Sequence, residues 1–138
     1  MQQPIVTSTA FLSQSSAPAT LDDLDCAQNL KDTLEAHADK CVGMAANMIG
    51  ERKQIIVFND ELTGRLMTMF NPEIIEKEEP YQTEEGCLSL ESTRKTTRFQ
   101  TIRVHYQDRR FKERTANFSG WTAQIIQHEI DHCNGILI

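Results

Sequence analysis

The chain has 138 residues, 39% of them hydrophobic and 25% charged, with a formal net charge of −6 and a pI of about 5.2. That size and balance fit one soluble globular domain over residues 1–138 with a core of its own. The acidic surplus argues against a nucleic-acid partner held through phosphates, and no apolar run approaches the roughly 18 residues of a membrane helix.

Met1 to Gln14 has neither a basic start nor a sustained apolar stretch, so it does not read as a signal peptide. Four cysteines (Cys26, Cys41, Cys87 and Cys133) without secretory features read as thiols or metal ligands rather than disulfide staples, and the expected location is the cytoplasm. Residues 1–20 are rich in Ser, Thr, Gln and Pro and read as an extended, partly mobile lead-in. Thr20 is a natural N-cap, followed by Asp22, Asp23 and Asp25 where the helix dipole favours anions. Leu24, Ala27, Leu30 and Leu34 then recur at helical spacing, which predicts an amphipathic helix over 21–38. His37 at its end is an ordinary cation near a helix C-terminus.

Cys41 to Gly50 is small, apolar and punctuated by glycine. It reads either as a tight buried turn or as a strand edge able to pair with an extended peptide. From Lys53 the signal is mostly β. Gln54–Phe58 is one strand, Arg65–Phe70 a second ended by Asn71-Pro72, and Glu73–Glu76 a third. Gln82–Leu90 is less regular. Thr101–Tyr106 alternates as a strand with one wet face carrying His105, and Phe111–Phe118 alternates again. The locally basic run Arg94–Arg114 is expected to be a solvated sheet face. Strands in succession predict mostly antiparallel sheet.

Ser119-Gly120 opens a final helix over 120–133. Trp121, Ile125, His128 and His132 share one stripe, Ile126, Ile130 and Cys133 a second, and Gln124, Gln127 and Asp131 a polar edge. A helix apolar over more than half its circumference is largely buried, and Gly135 is a natural C-cap. This helix carries His128-Glu129-Ile130-Asp131-His132, an H-E-x-x-H arrangement. Residues i and i+4 lie on one face, so both imidazoles can turn to a single metal ion. Glu129 is rotated by about 100° from His128, beside the metal, where it can handle the proton of a bound water. Two buried imidazoles need partners, which favours ligation over two solvated histidines. A catalytic metal wants a third protein ligand. Cys87, between Gly86 and Leu88, is the leading candidate, against the plain alternative of a buried hydrophobic thiol.

Taken together, these residues resemble the peptide deformylases. Cys41-Val42-Gly43-Met44-Ala45-Ala46-Asn47-Met48 matches that family's glycine-hydrophobic-glycine-hydrophobic-Ala-Ala-x-Gln stretch. Glu85-Gly86-Cys87-Leu88-Ser89 and Gln127-His128-Glu129-Ile130-Asp131-His132 match its other two motifs intact. The resemblance implies an α+β fold, with mostly antiparallel sheets packed around a central C-terminal HExxH helix and an N-terminal helix. It implies Cys87, His128 and His132 as metal ligands, ferrous iron as the usual metal, and zinc, nickel or cobalt as able to occupy the site. The implied reaction removes the formyl group from N-terminal formylmethionine of peptides or nascent chains, with the ribosome as a further partner. Glu129 would move the proton, the Leu88 N–H would donate to the oxyanion, and Val42 and Gly43 would pair with the substrate backbone. Trp121 and Ile125 would wall the methionine pocket, and Arg98 would hold Glu85.

The first motif departs from the family. Met48 stands where the family has the glutamine that donates to the oxyanion, and methionine has no donor. Cys41 replaces the opening glycine, Glu91 falls where proline is usual, and Cys133 replaces a usual leucine. The chain ends at Ile138, ahead of the C-terminal helix of many bacterial members. An active deformylase is therefore expected, with a deformylase-like protein of weak or altered activity on peptide N-termini or another amide as the alternative. An ordinary zinc protease would need a ligand downstream of the helix, and only six residues follow His132.

Overall fold

A computed structural model describes residues 1–90 and 92–138. Glu91, singled out above, lies outside the described residues. The elements are a short helix α1 (Thr9–Leu12), helix α2 (Leu24–Ala36) entered through a 3-10 turn at Leu21–Asp23, strand β1 (Gly43–Ala45), a 3-10 turn at Ala46–Ile49, strands β2 (Ile55–Asp60), β3 (Arg65–Glu85), β4 (Arg94–Gln107) and β5 (Glu113–Ser119), and helix α3 (Gly120–Cys133). The strands form one antiparallel sheet in the order β1-β2-β3-β4-β5. The fold is thus α+β, with α3 packed against the sheet.

Strand β2 explains the layering. Its run Ile55-Ile56-Val57-Phe58 is buried at every position. Ile56 and Phe58 face α3, packing with Ala123, Ile126, Ile130 and Met69. Ile55 and Val57 face the opposite way, toward Leu30, Leu34 and Met44 of the α2 layer. A strand covered on both sides has no polar face, hence the unbroken apolar run. Thr20 and Asp23 form a reciprocal capping box that starts the α2 segment.

Several expectations need correction. The lead-in is tied to the core at several points and holds a short helix: Leu12 is buried, Val6 N–H donates to the Met48 carbonyl at 2.8 Å, Ser16 N–H donates to the Cys133 carbonyl at 2.8 Å, and Ala17 bridges to Lys53. Their backbone donors find acceptors on the core, which composition does not reveal. The second and third predicted strands are one strand, β3, which continues through Glu85. Asn71-Pro72 does not end it, because the proline falls in a bulge between Phe70 and Glu73, where no ladder N–H is required. Asn71 takes φ +52° there, and its side chain bonds both the N–H and the C=O of Ala19. The irregular stretch from Gln82 is partly regular, since Gln82–Glu85 pairs with Arg94–Thr97. The predicted strand at Phe111 starts at Glu113, and Phe111 sits at φ +57° against the Phe70 ring, centroids 4.7 Å apart. The basic run is not wholly a solvated face: Arg98 is 4% exposed.

Candidate metal centre and active site

Helix α3 carries three of the expected site residues, and its burial fixes them. Ten of its residues are buried, including His128, Glu129 and His132. The polar edge expected from the sequence is turned inward at Gln127, which is 5% exposed. Its side chain accepts from the Phe99 N–H and donates to the Phe99 C=O, each at 2.9 Å, tying α3 to β4. Trp121 departs the other way and is 50% exposed, at the mouth of a cavity.

Cys87, on the segment after β3, meets the two histidines. One ligand atom from each of Cys87, His128 and His132 lies within 4.8 Å of the others. Two ligands on one tetrahedral ion are about 3.5 Å apart, so a small closure brings all three onto one cation. The imidazole rings are 4.6 Å apart by centroid. Ser89 N–H points at Cys87 Sγ, 3.4 Å away. The donor chemistry, one thiol and two imidazoles, suits a borderline-soft divalent ion.

The surroundings favour positive charge at this point. Burial alone would depress the His128 pKa, yet hydrogen bonds to Cys87 and Glu85 and the nearby Glu129 charge hold it up at about 10, so His128 carries a proton that a cation must displace in order to bind. His128 Nδ1 lies 2.7 Å from Glu85 Oε1, which leaves Nε2 for the ligand cluster. His132 is pushed down to about 3, by burial first and then by the His128 charge, so it is neutral and can ligate. Burial raises Glu129 to about 7, opposed by His128, which poises it for proton transfer near neutrality.

Glu85 is the hub that orients His128. It accepts from Arg98 Nε at 2.9 Å, Arg98 Nη2 at 2.7 Å, Gln124 Nε2 at 2.9 Å and His128. Burial works to raise its pKa, but the His128 and Arg98 hydrogen bonds prevail and hold it at about 2. Arg98 also reaches Asp131 Oδ2 at 2.6 Å, and Tyr81 Oη donates to Gln124 Oε1 at 3.2 Å. Sequence reasoning missed the parts of Gln124, Asp131 and Tyr81. The available signal for Gln124 and Asp131 was polar residues on an otherwise apolar helix, which need partners when half-buried, as they are here; Tyr81, on β3, gave none.

The cavity in front of the cluster is about 530 Å³. Val42, Gly43, Met48, Cys87, Leu88, Trp121, Ile125, His128 and Glu129 all line it, so nine of the expected site residues converge there. His132 faces the other side of the cluster, where it lines a second, much smaller cavity. Strand β1 borders the large cavity as the edge of the sheet. The Val42 carbonyl accepts from Asn59 N–H at 2.8 Å, and alternate residues of a ladder face opposite ways. Gly43 therefore directs its backbone groups to the open side. A side chain at Gly43 has no room: a Cβ there would lie 2.7 Å from Ile125 Cγ2 and 3.0 Å from Glu129 Oε2. Gly43→Ala is expected to lower stability by about 1–3 kcal/mol through overpacking and to reduce turnover by displacing Glu129. Chemical denaturation with steady-state kinetics would check this, and unchanged values for both would refute the steric argument.

Comparison with known proteins agrees with this geometry. The sequence model of the polypeptide deformylase family matches residues 2–138. The peptide deformylase of Clostridium beijerinckii is 51% identical over 138 residues, covering 100% of both chains. That of Wolinella succinogenes is 36% identical and covers 97% of this chain and 84% of its own. The chain belongs to the peptide deformylase family. Solved deformylases have the same fold. The Thermotoga maritima enzyme matches with TM-score 0.88 at 29% identity, over 99% of this chain and 95% of that one. The class I type b enzyme of Acinetobacter baumannii, solved with Met-Ala-Ser bound, matches with TM-score 0.87 at 28% identity, over 99% and 97%. The protein is accordingly a hydrolase of linear amides that removes the N-formyl group from nascent proteins, in a family that depends on metal.

Proposed function

We propose that Cys87, His128 and His132 hold the divalent metal of this deformylase, within a single domain over residues 1–138. The observation that carries the assignment is the convergence of the three donors within 4.8 Å beside a buried carboxylate, Glu129. When bound, the ion supplies Lewis acidity, polarising a carbonyl and making water more acidic. The thiolate and two imidazoles fit ferrous iron as the working metal, and zinc, nickel or cobalt as able to replace it.

The rest of the chemistry falls to the chain. Glu129 takes a proton at its carboxylate from water in the cavity and later releases it to the leaving amine. The backbone N–H of Leu88 donates to the oxygen that gains charge as the formyl carbon is attacked. Gly43 holds the substrate backbone as an added strand beside β1, while Val42, expected to share that pairing, has its carbonyl taken by Asn59 and lines the cavity instead. Trp121 and Ile125 wall the pocket for the methionine side chain. The Met-Ala-Ser peptide in the Acinetobacter baumannii enzyme supports a peptide N-terminus in this groove. Substrates are formylmethionyl peptides or nascent chains, met at the ribosome in the cytoplasm. The net charge of −6 supports an enzyme without direct nucleic-acid contacts, and no helix among the described residues is long and apolar enough to cross a membrane.

The test is metal content. Cys87→Ser is expected to weaken metal affinity by more than about 10²-fold, since even an outer-shell partner of a ligand is worth about 10–100-fold. Metal analysis after dialysis would read it, and an unchanged content would remove Cys87 from the ligand set. A second reading has one observation in its favour. Met48 lines the cavity without a hydrogen-bond donor, which suits a site of slower turnover or one acting on another amide.

A further inference from the structure

Behind the ligand cluster lies a cavity of about 10 Å³, bounded in part by Leu12 and by Leu137 beyond α3. Three side chains that line it are buried, and each keeps one polar atom without a hydrogen-bond partner among the described residues. These atoms are Asn47 Oδ1, Ser89 Oγ and His132 Nδ1, on residues 1%, 5% and 5% exposed. Buried polar atoms in native proteins are nearly always bonded. Three left over around one void therefore point to a shared partner.

The other ends of these residues are already committed. Asn47 Nδ2 donates to the His132 carbonyl at 2.9 Å. That carbonyl can only accept, so the amide orientation is fixed and Oδ1 is left as a free acceptor on a residue that lines the cavity. Ser89 gives its backbone N–H to Cys87 Sγ, leaving its hydroxyl for the cavity. Direct partners for His132 Nδ1 fall short. Glu129 Oε1 is 3.5 Å away and is itself unpartnered, beyond the ordinary range for such a bond. The Ile138 carbonyl lies near enough to work against the lowering of the His132 pKa, but makes no bond of proper geometry.

We propose that this cavity is the site of one buried water, through which Asn47 and Ser89 act as positioning residues for His132. The volume meets the roughly 10–15 Å³ that one water needs, and three polar partners fall within its usual two to four. The water can accept from His132 Nδ1–H and from the Ser89 hydroxyl and donate to Asn47 Oδ1. A proton fixed on Nδ1 leaves the Nε2 lone pair for metal, the same arrangement that Glu85 imposes on His128. The two histidines are thus oriented by different means, one by a carboxylate and the other by a water. This last step rests on the reading of His132 as a ligand.

A high-resolution crystal structure of the wild-type protein is expected to show a water within hydrogen-bond distance of all three atoms. A dry cavity, or His132 Nδ1 bonded directly to Ile138 or Glu129, would overturn the inference whatever the metal result. In solution, Ser89→Ala is expected to weaken zinc affinity by about 10–100-fold in chelator competition, with most of it recovered in Ser89→Thr. Nitrogen-15 NMR of the zinc-loaded wild type should show a protonated, slowly exchanging His132 Nδ1 that exchanges faster in Ser89→Ala. Zinc affinity within twofold of wild type in Ser89→Ala would overturn the positioning role. Failure of the ligand assignment looks different: zinc binding would then survive His132→Ala.

Discussion

Glu129→Gln is expected to lower kcat/KM for a formyl-Met peptide by about 10²–10⁴ while leaving the metal content at the wild-type level. Glutamine has nearly the shape of glutamate, so it fits between Gly43 and the histidines, where Glu129 Oε2 lies 3.0 Å from the Cβ position of Gly43. It cannot take up and release a proton. The proposed ligand donors, on Cys87, His128 and His132, are untouched by the change. Burial holds the Glu129 carboxyl at about 7, the range where one group can act first as base and then as acid. Parallel metal analysis and steady-state kinetics give the result. Activity above about a tenth of wild type would remove Glu129 from the proton path, and loss of metal would make it a structural support of the site instead.

Met48→Gln acts in the opposite direction, and turnover is expected to rise by about 10²–10³, the typical worth of one oxyanion donor. Met48 is 1% exposed and lines the same cavity as Cys87, Leu88 and Glu129. An amide at that position adds a donor where the structure has a thioether. The gain carries a stability cost of about 1–3 kcal/mol if the new amide lacks a partner when no substrate is bound. Kinetics on a formyl-Met peptide and urea denaturation separate the two effects. A large gain identifies an oxyanion site limited by Met48. Equal turnover in both proteins would mean that the Leu88 N–H and the metal suffice, and that the slow-enzyme reading is wrong.

The sequence displayed the candidate constellation because its spacing is helical. His128, Glu129 and His132 lie within one turn and a residue of each other, so their relation survives any uncertainty about the rest of the fold. The boundaries of α3 at Gly120 and Cys133 were equally legible, from Ser119-Gly120 at one end and Gly135 at the other. Cys87 was legible as a candidate thiol, and its place as third donor came with the resemblance to the family. Errors concentrated where local signals met tertiary demands. Asn71-Pro72 reads as a strand end, yet β3 absorbs it as a bulge and runs on. Gln127 reads as a wet edge, yet it is buried as a clamp on Phe99.

What the sequence determined by itself is therefore the chemistry: two imidazoles and a carboxylate on one helix and a thiol in a glycine-flanked turn, to which the resemblance to the family added a methionine where a donor is expected. These are properties of residue type and of separations of about one helical turn, which local backbone geometry conveys. Tertiary structure alone decided the support. Glu85 gathers Arg98, Gln124 and His128 across separations of 13 to 43 residues, and Asn47 reaches His132 across 85. No periodicity encodes such pairings. They follow from burial, which leaves each polar group to find a partner among whatever the fold has brought near.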